Sequence, residues 1–167
     1  MDVVSHALLG ASVVADQKLV WPALIFGAGP DLINGIPVHL FMVWKLKKEG
    51  KSWPEIFQIL KNPDEWKKAP VWTHTLYLYL HSLWFALLVG TAIYLFYPPW
   101  LVLMKAWFLH IGLDFFLHRD WFGVKPFYPL SRWQFNLVNW FETPLKYLGV
   151  PISLLIFLLV YLKGILY

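Results

Sequence analysis

Cysteine is absent from the sequence, which excludes disulfide bonds and thiolate metal ligands. Any bound metal must therefore be held by histidine and carboxylate side chains. Charge is also scarce, because Asp, Glu, Lys and Arg make up only 14% of the 167 residues, whereas 59% are hydrophobic. A soluble domain of this size would be richer in charge. The composition predicts an integral membrane protein with a single membrane-embedded domain over residues 1–167.

The N-terminus lacks the basic region and the small-residue cleavage site of a signal peptide, so we expect it to be retained. The formal net charge is +4, and the basic residues gather in loops rather than over one face. We therefore expect the lipid bilayer, and no nucleic acid, as a partner. Residues 45–68 contain seven Lys against four acidic residues, which places this loop in the cytoplasm by the positive-inside rule.

The apolar runs predict an all-α fold, a polytopic membrane helix bundle with about five apolar helices. Two short N-terminal runs fall below the ~20 residues needed to cross a bilayer, and could form a re-entrant hairpin or cross where the bilayer is thinned. Three longer runs predict spanning helices. The five runs cover residues 3–15, 19–28, 71–97, 100–118 and 147–162.

Local signals set several of the predicted boundaries. Gly29-Pro30 is expected to end the second short helix and to leave Asp31 at its mouth. Ser52 and Glu55 have the spacing of a capping box, which predicts an amphipathic helix on the membrane surface. A second interfacial helix is predicted over residues 133–141.

An unusual stripe of ionisable residues lies within the fourth apolar run. His110, Asp114 and His118 are spaced four residues apart, so that a helix places them on one face. Ionisable groups in a membrane segment are costly and usually functional. Counted from the predicted turn at Pro98-Pro99, His81 lies at the same depth as this stripe.

The predicted topology brings further polar residues to the cytoplasmic end of the bundle. Imidazole and carboxylate ligands suit zinc, with iron and manganese as alternatives. Six residues exceed one tetrahedral site, so either two metals share the carboxylates or some residues act as acid and base groups. The six residues are His6, Asp31, His81, His110, Asp114 and His118.

Five short motifs in order resemble the prokaryotic membrane-bound metal-dependent hydrolases, a family that includes LexA-regulated inner-membrane members. They lie within residues 1–133. They are the opening Met1 to Gly10, Pro30-Asp31, His81-Ser82-Leu83, the His110–Asp114–His118 stripe and Pro129-Leu130-Ser131. That family is distantly similar to zinc-dependent phospholipase C. The resemblance implies a divalent metal, zinc first, as one or two ions, and phosphoester chemistry.

The chain departs from the family pattern at two places. Ile33 stands where many relatives have a second acidic residue. His74 and His81 are both candidates for the histidine that the family has at the start of a transmembrane helix. His81 is favoured, because it lies at the depth of the stripe and is followed by Ser82-Leu83.

These observations predict a membrane-bound hydrolase of a phosphoester, with a lipid or lipid-linked substrate, integral to the inner membrane with its site facing the cytoplasm. A metal-ion or proton transporter is the alternative, and a structural membrane protein is a third interpretation. The role of His39 is left open. The predicted metal ligands are His6, Asp31, His81, His110 and Asp114; His118 is a second-site ligand or an acid/base group, His74 an acid/base group or an outer support, and Arg119 and Arg132 bind an anionic head group.

Overall fold

The computed structural model of the protein describes residues 1–135 and 137–166, and every regular element within them is helical. This confirms the predicted all-α class. The α-helices are α1 (Val3–Val14), α2 (Val20–Lys48), α3 (Trp53–Leu60), α4 (Pro63–Trp66), α5 (Val71–Leu80), α6 (Leu83–Phe96), α7 (Met104–Leu117) and α8 (Leu145–Leu166). Short 3-10 helices cover Gln17–Leu19, Pro98–Leu103, Asp120–Phe122 and Trp140–Glu142.

Three of the described helical segments are long and apolar enough to cross a membrane: Gln17–Lys48, Pro98–Leu117 and Lys146–Lys163. The bent pair α5 and α6 makes a fourth if it is counted as one span. The predicted number of about five is not confirmed, because α1 has only 12 residues. The spans agree with a membrane protein, and the last one matches the predicted helix over residues 147–162.

Helices α1, α2 and α7 pack together at the centre of the fold, and α8 packs against α1. The crossing of α1 and α2 is close because glycine faces glycine. A Cβ atom at Gly10 would lie 2.7 Å from the Gly27 Cα, and one at Gly27 would lie 2.5 Å from the His6 carbonyl oxygen. Only glycine at both positions allows this approach, which brings His6 against α2.

Helix α2 passes through Gly29-Pro30 without a break, so the predicted helix end at this point is wrong. Pro30 cannot donate to the Phe26 carbonyl, a local cost that the packed surroundings of α2 outweigh. Asp31 therefore lies in the middle of a 29-residue helix rather than in a loop. The predicted second short helix is also wrong, since α2 alone is long enough to span a membrane.

The apolar run over residues 71–97 is two helices rather than the single predicted span. Helices α5 and α6 meet at His81 and Ser82 with a bend of 59°. The Ser82 hydroxyl accepts from the Phe85 N–H at 3.2 Å, and the Leu83 N–H donates to the Pro126 carbonyl at 2.8 Å. The loop after α7 thus satisfies a donor that the break leaves free, and His81 is placed in the interior.

Two predictions concern the membrane surface. The capping box before α3 is confirmed, because Glu55 Oε2 accepts from the N–H of Ser52 at 2.8 Å and from its hydroxyl at 2.6 Å. The second interfacial helix is wrong over most of its length. Residues 133–135 and 137–139 have no regular structure, and helix begins only at Trp140; residue 136 lies outside the described part.

Candidate metal centre

Six predicted site residues meet in the interior, and they come from several helices and from the segment after α7. His6 lies on α1, Asp31 on α2, and His81 at the break between α5 and α6. His110 and Asp114 lie one turn apart on α7, and His118 follows that helix in extended backbone. His6, His81, His110, Asp114 and His118 are all buried.

Asp114 lies at the centre of the group and divides it into two sides. Its Oδ1 atom lies 2.8 Å from His6 Nε2 and 3.2 Å from His118 Nε2. Its Oδ2 atom lies 3.4 Å from His110 Nε2 and 3.6 Å from His81 Nε2. The amino group of Met1 is also on the Oδ1 side, 2.6 Å from that oxygen and in contact with His118. One carboxylate thus faces four imidazole rings.

Asp31 completes a compact group on the Oδ2 side. Its Oδ1 atom lies 3.5 Å from His81 Nε2 and 3.8 Å from His110 Nε2. Each of Asp31, His81, His110 and Asp114 offers a ligand atom within 4.8 Å of the other three. These four residues could bind a metal ion, and we refer to them as the tetrad.

The backbone orients the two imidazole rings of the tetrad. His110 Nδ1 lies 2.7 Å from the Gly27 carbonyl oxygen, and His81 Nδ1 lies 2.9 Å from the Tyr77 carbonyl oxygen. A carbonyl oxygen only accepts, so each Nδ1 carries a proton and donates it. In a neutral ring the Nε2 atom is then an acceptor, which is the usual arrangement of a metal-binding histidine.

The tetrad therefore directs four acceptors at one point. The two Nε2 atoms are 3.0 Å apart, and the carboxylate oxygens lie 3.4 to 3.8 Å from them. Only positive charge, on a cation or as extra protons on the rings, offsets this convergence of lone pairs. A tetrahedral zinc with bonds of about 2.0–2.2 Å separates its ligand atoms by about 3.3–3.6 Å. Three of the four nitrogen–oxygen separations fall in that range, whereas the two Nε2 atoms would have to move apart by about 0.3 Å to bind such an ion.

A cavity of about 420 Å³ opens onto the group, and Asp31, Asp114 and His118 line it. Asn34, Lys61 and Tyr77 also line it but were missed by sequence reasoning. Asn34 follows Asp31 by one turn, so a continuous α2 would have indicated it by helical spacing. Lys61 comes from the end of α3, and only the tertiary fold brings it to this cavity.

Two histidines lie outside the tetrad. His74 is half-buried, with its ring stacked on Trp121 at a centroid distance of 4.1 Å. His39 is exposed; its Nδ1 donates to the Gly35 carbonyl at 2.8 Å, and its ring lies 4.4 Å from Trp66 in the cavity wall. Of the two alternatives for the ligand histidine, His74 and His81, the structure places His81 in the group.

The two predicted head-group arginines lie away from the cavity lining. Arg119 donates from its guanidinium to Glu142 Oε2 at 2.8 Å. Arg132 is exposed in the irregular segment after α7. Their predicted role in binding an anion stays a prediction.

No protein-family model, curated protein or solved structure matches this chain. The fold and site define a helical membrane protein with a buried His/Asp group that could hold a metal ion.

Proposed function

We propose that this protein is a membrane-bound metal-dependent hydrolase that cleaves a phosphoester in a lipid or lipid-linked substrate. The support is the convergence of four acceptors in the tetrad beside a cavity large enough for a substrate head group. Buried ionisable groups at this density are expensive in a membrane protein and mark functional sites. The motif resemblance supports the same reaction class.

In this proposal Asp31, His81, His110 and Asp114 hold a divalent metal, zinc first. When bound, such a metal supplies Lewis-acid polarisation of a phosphoryl oxygen. His6 and His118 share the other oxygen of Asp114 and are the residues that could hold a second ion, with Asp114 as the bridge. This assignment explains why both carboxylate oxygens of Asp114 face imidazole rings.

If only the tetrad holds an ion, His118 is instead the proposed acid/base group, because it contacts Asp114 and lines the cavity. Hydrolysis breaks a P–O bond, adds water oxygen to phosphorus and leaves the departing oxygen in need of a proton. His118 is placed to give that proton, and Lys61 at the cavity wall to attract the phosphate. His74 has no contact with the tetrad among the described interactions, so no catalytic step is assigned to it.

The apolar packing beyond the site favours hydrolysis over the alternative of ion transport. Ala11, Ala23, Leu103 and Ala106 form a fully buried apolar cluster between α1, α2 and the start of α7 with its preceding 3-10 turn. An ion path across the membrane needs polar groups or water along its length. The buried apolar cluster supplies neither polar groups nor water beside the tetrad. We place the tetrad at the cytoplasmic end of an inner-membrane protein because of the Lys-rich segment 45–68.

Metal analysis tests the proposal first. Protein purified in detergent without chelators should contain at least one zinc or related divalent ion per chain, measured by inductively coupled plasma mass spectrometry. His81→Ala should lose this metal and His74→Ala should retain it, because only His81 belongs to the tetrad. The loaded protein should then hydrolyse at least one member of a panel of phosphomonoesters, phosphodiesters and phospholipids.

Metal-free protein from that purification would contradict the proposal. So would a metal content that is unchanged when His110 and Asp114 are both replaced by Ala. Metal flux into proteoliposomes, without hydrolysis of any phosphoester, would favour the transporter instead.

A further inference from the structure

A second cavity, of about 300 Å³, lies along the outer face of α2 next to the metal centre. Seven residues line it, and only Asp31 and His39 among them are polar. We refer to this cavity as the α2 groove. Its apolar walls are Val3, Leu32, Ile36 and Leu40, with Gly35 between them. A groove of this composition suits a hydrocarbon chain rather than a charged group.

The α2 groove adjoins the cavity at the candidate metal centre. Val3, Asp31, Gly35 and His39 line both spaces. Asp31 belongs to the tetrad, so the inner end of the groove reaches the candidate metal ligands. A molecule could therefore have one polar end at the tetrad and an apolar part in the groove.

The groove lies on an exposed apolar side of α2. Ile36 is 55% exposed and Leu40 is 66% exposed, although both are large aliphatic residues. They belong to the segment Gln17–Lys48, which is apolar and long enough to span a membrane. In a membrane-spanning helix, exposed aliphatic residues face lipid, and a groove beside them would open sideways into hydrocarbon.

The inner cavity is lined by charged groups of both signs. Lys61 and Met1 line it together with the carboxylates of Asp2, Asp31 and Asp114, and Lys61 does not line the groove. A divalent metal at the tetrad would turn this balance of charge positive, and the two neighbouring spaces would then be complementary to an anionic head group and an aliphatic tail, respectively. Phosphate-bearing lipids of the surrounding leaflet have this combination.

We propose that the α2 groove holds the first part of an acyl chain of a phosphate-bearing lipid, whose head group lies beside the tetrad and whose chain leaves sideways into the bilayer. The inference deepens the proposed function, on which it rests for the reaction but not for the binding. It makes the substrate a membrane lipid that reaches the site laterally, without leaving the leaflet.

Gly35 offers a direct way to close the passage. It lines both spaces, and the nearest atom to a Cβ at this position is His39 Nδ1 at 3.8 Å, an ordinary contact. A larger side chain therefore has room and would extend into the junction. Leucine also favours helix over glycine, so Gly35→Leu should fold. Gly112→Leu is the matched control, because a Cβ at Gly112 on α7 has nothing within 4 Å and Gly112 lines neither space.

Photolabelling tests the binding without any turnover. The probe is a phosphonate analogue of phosphatidate, which has no phosphoester oxygen to cleave, with a diazirine near the carboxyl end of one acyl chain. Diacylglycerol with the same diazirine-bearing acyl chain is the control probe, and it measures how strongly any lipid-facing surface is labelled. In proteoliposomes of the wild-type protein, we expect severalfold stronger labelling of Leu32, Ile36 and Leu40 by the phosphonate probe than by diacylglycerol. Gly35→Leu should remove this excess and Gly112→Leu should keep it.

Equal labelling of α2 by the two probes would overturn the inference, and so would an excess that Gly35→Leu leaves in place. Neither result depends on hydrolysis. If the excess is found and no phosphoester is cleaved, the groove binds lipid and the proposed function is wrong.

Turnover supplies the second measurement. Gly35→Leu should lower kcat/KM for dioleoyl phosphatidate more than for a short water-soluble phosphomonoester, by a factor of at least about ten, the scale on which apolar pockets discriminate. Equal losses on the two substrates would contradict the groove while leaving the hydrolase intact.

Discussion

Helices α1, α2 and α7, with the 3-10 turn that precedes α7, build two cores of opposite character. One contains His6, His110 and Asp114, each about 1% exposed, and the other contains Ala11, Ala23, Leu103 and Ala106, each fully buried. On α7 only one turn separates Ala106 from His110. Equally buried residues therefore contribute differently to stability. The apolar core contributes packing, whereas the polar core is costly unless hydrogen bonds and positive charge, from protonated rings or a bound cation, compensate it.

The largest expected effect comes from removing the charge at the centre of the polar core. Asp114→Asn keeps the side-chain volume but takes away the negative charge that four imidazole rings face. We expect metal content to fall to about a tenth or less and turnover to fall by at least about 10²-fold, as for loss of a ligand or its support. Mass spectrometry of metal and a phosphoester assay measure the two quantities.

Asp64→Asn is the control for this change, since that carboxylate is exposed on α4 and pairs with Lys67, away from the tetrad. Wild-type metal content in Asp114→Asn, in protein that is still helical by circular dichroism, would mean that the polar core does not bind metal through this residue.

A truncation in the apolar core should lower stability and leave metal content unchanged. Leu103→Ala removes a fully buried side chain and should lower the free energy of unfolding by about 2–5 kcal/mol. Metal content per folded chain should stay at the wild-type value. Thermal denaturation in detergent gives the first quantity and mass spectrometry the second. Leu155→Ala, at a 58% exposed position of α8, should cost much less; equal losses for the two variants would contradict the proposed packing.

The boundary between the two cores is the glycine crossing, and Gly27→Ala should disturb both. The added Cβ would lie 2.5 Å from the His6 carbonyl oxygen, so α1 and α2 must separate. Overpacking of this kind costs about 1–3 kcal/mol. The shift should also weaken metal binding, because His110 donates to the Gly27 carbonyl. Thermal denaturation with and without added zinc measures the two effects.

Gly112→Ala is the matched variant for this test. Its Cβ meets nothing within 4 Å, so it should gain up to about 1 kcal/mol from helix propensity. A Gly27→Ala protein as stable as Gly112→Ala would show that the crossing tolerates a wider separation.

The smallest effect concerns the surface helix α3, outside both cores. Hydrogen bonds from the hydroxyl and N–H of Ser52 lower the pKa of Glu55 below its ordinary value of 4.5. The charged form therefore stabilises α3 above that value, and this contribution is lost as pH falls through the lowered pKa. Glu55→Gln, whose neutral amide accepts more weakly, should reduce amide-exchange protection of α3 at pH 7. The difference from wild type should vanish at pH values below the lowered pKa, whereas a pH-independent difference would contradict the capping role.

Much of the polar core could be predicted from spacing and depth. His110, Asp114 and His118 follow a four-residue period, and the Pro98-Pro99 turn brings His81 to their level. Contact between these residues in the structure agrees with both signals. Spacing along a helix and distance from a turn depend only on local geometry, which is why they could be read in advance.

Other features depended on contacts between distant segments. The run over residues 71–97 contains neither proline nor charge, and its local signal for a helix start, the N-cap residue Ser82, is too weak to predict a break of 59° at His81. The break is supported by the loop after α7, where the Pro126 carbonyl accepts from Leu83 and the Phe122 carbonyl accepts from Tyr77. Conversely, Gly29-Pro30 has a strong local preference to end a helix, and tertiary packing of α2 overrides it.

The sequence by itself determined a helical membrane protein, its metal-competent residue types and the one-turn spacing of the stripe, because composition and helical period are local properties. Only the tertiary structure decided that His81 rather than His74 joins the tetrad, that Asp31 approaches it from the middle of a long helix, and that Asp114 is shared between two sides. These outcomes depend on the bend between α5 and α6 and on the close crossing of α1 and α2. Contacts between segments far apart in the chain determine both.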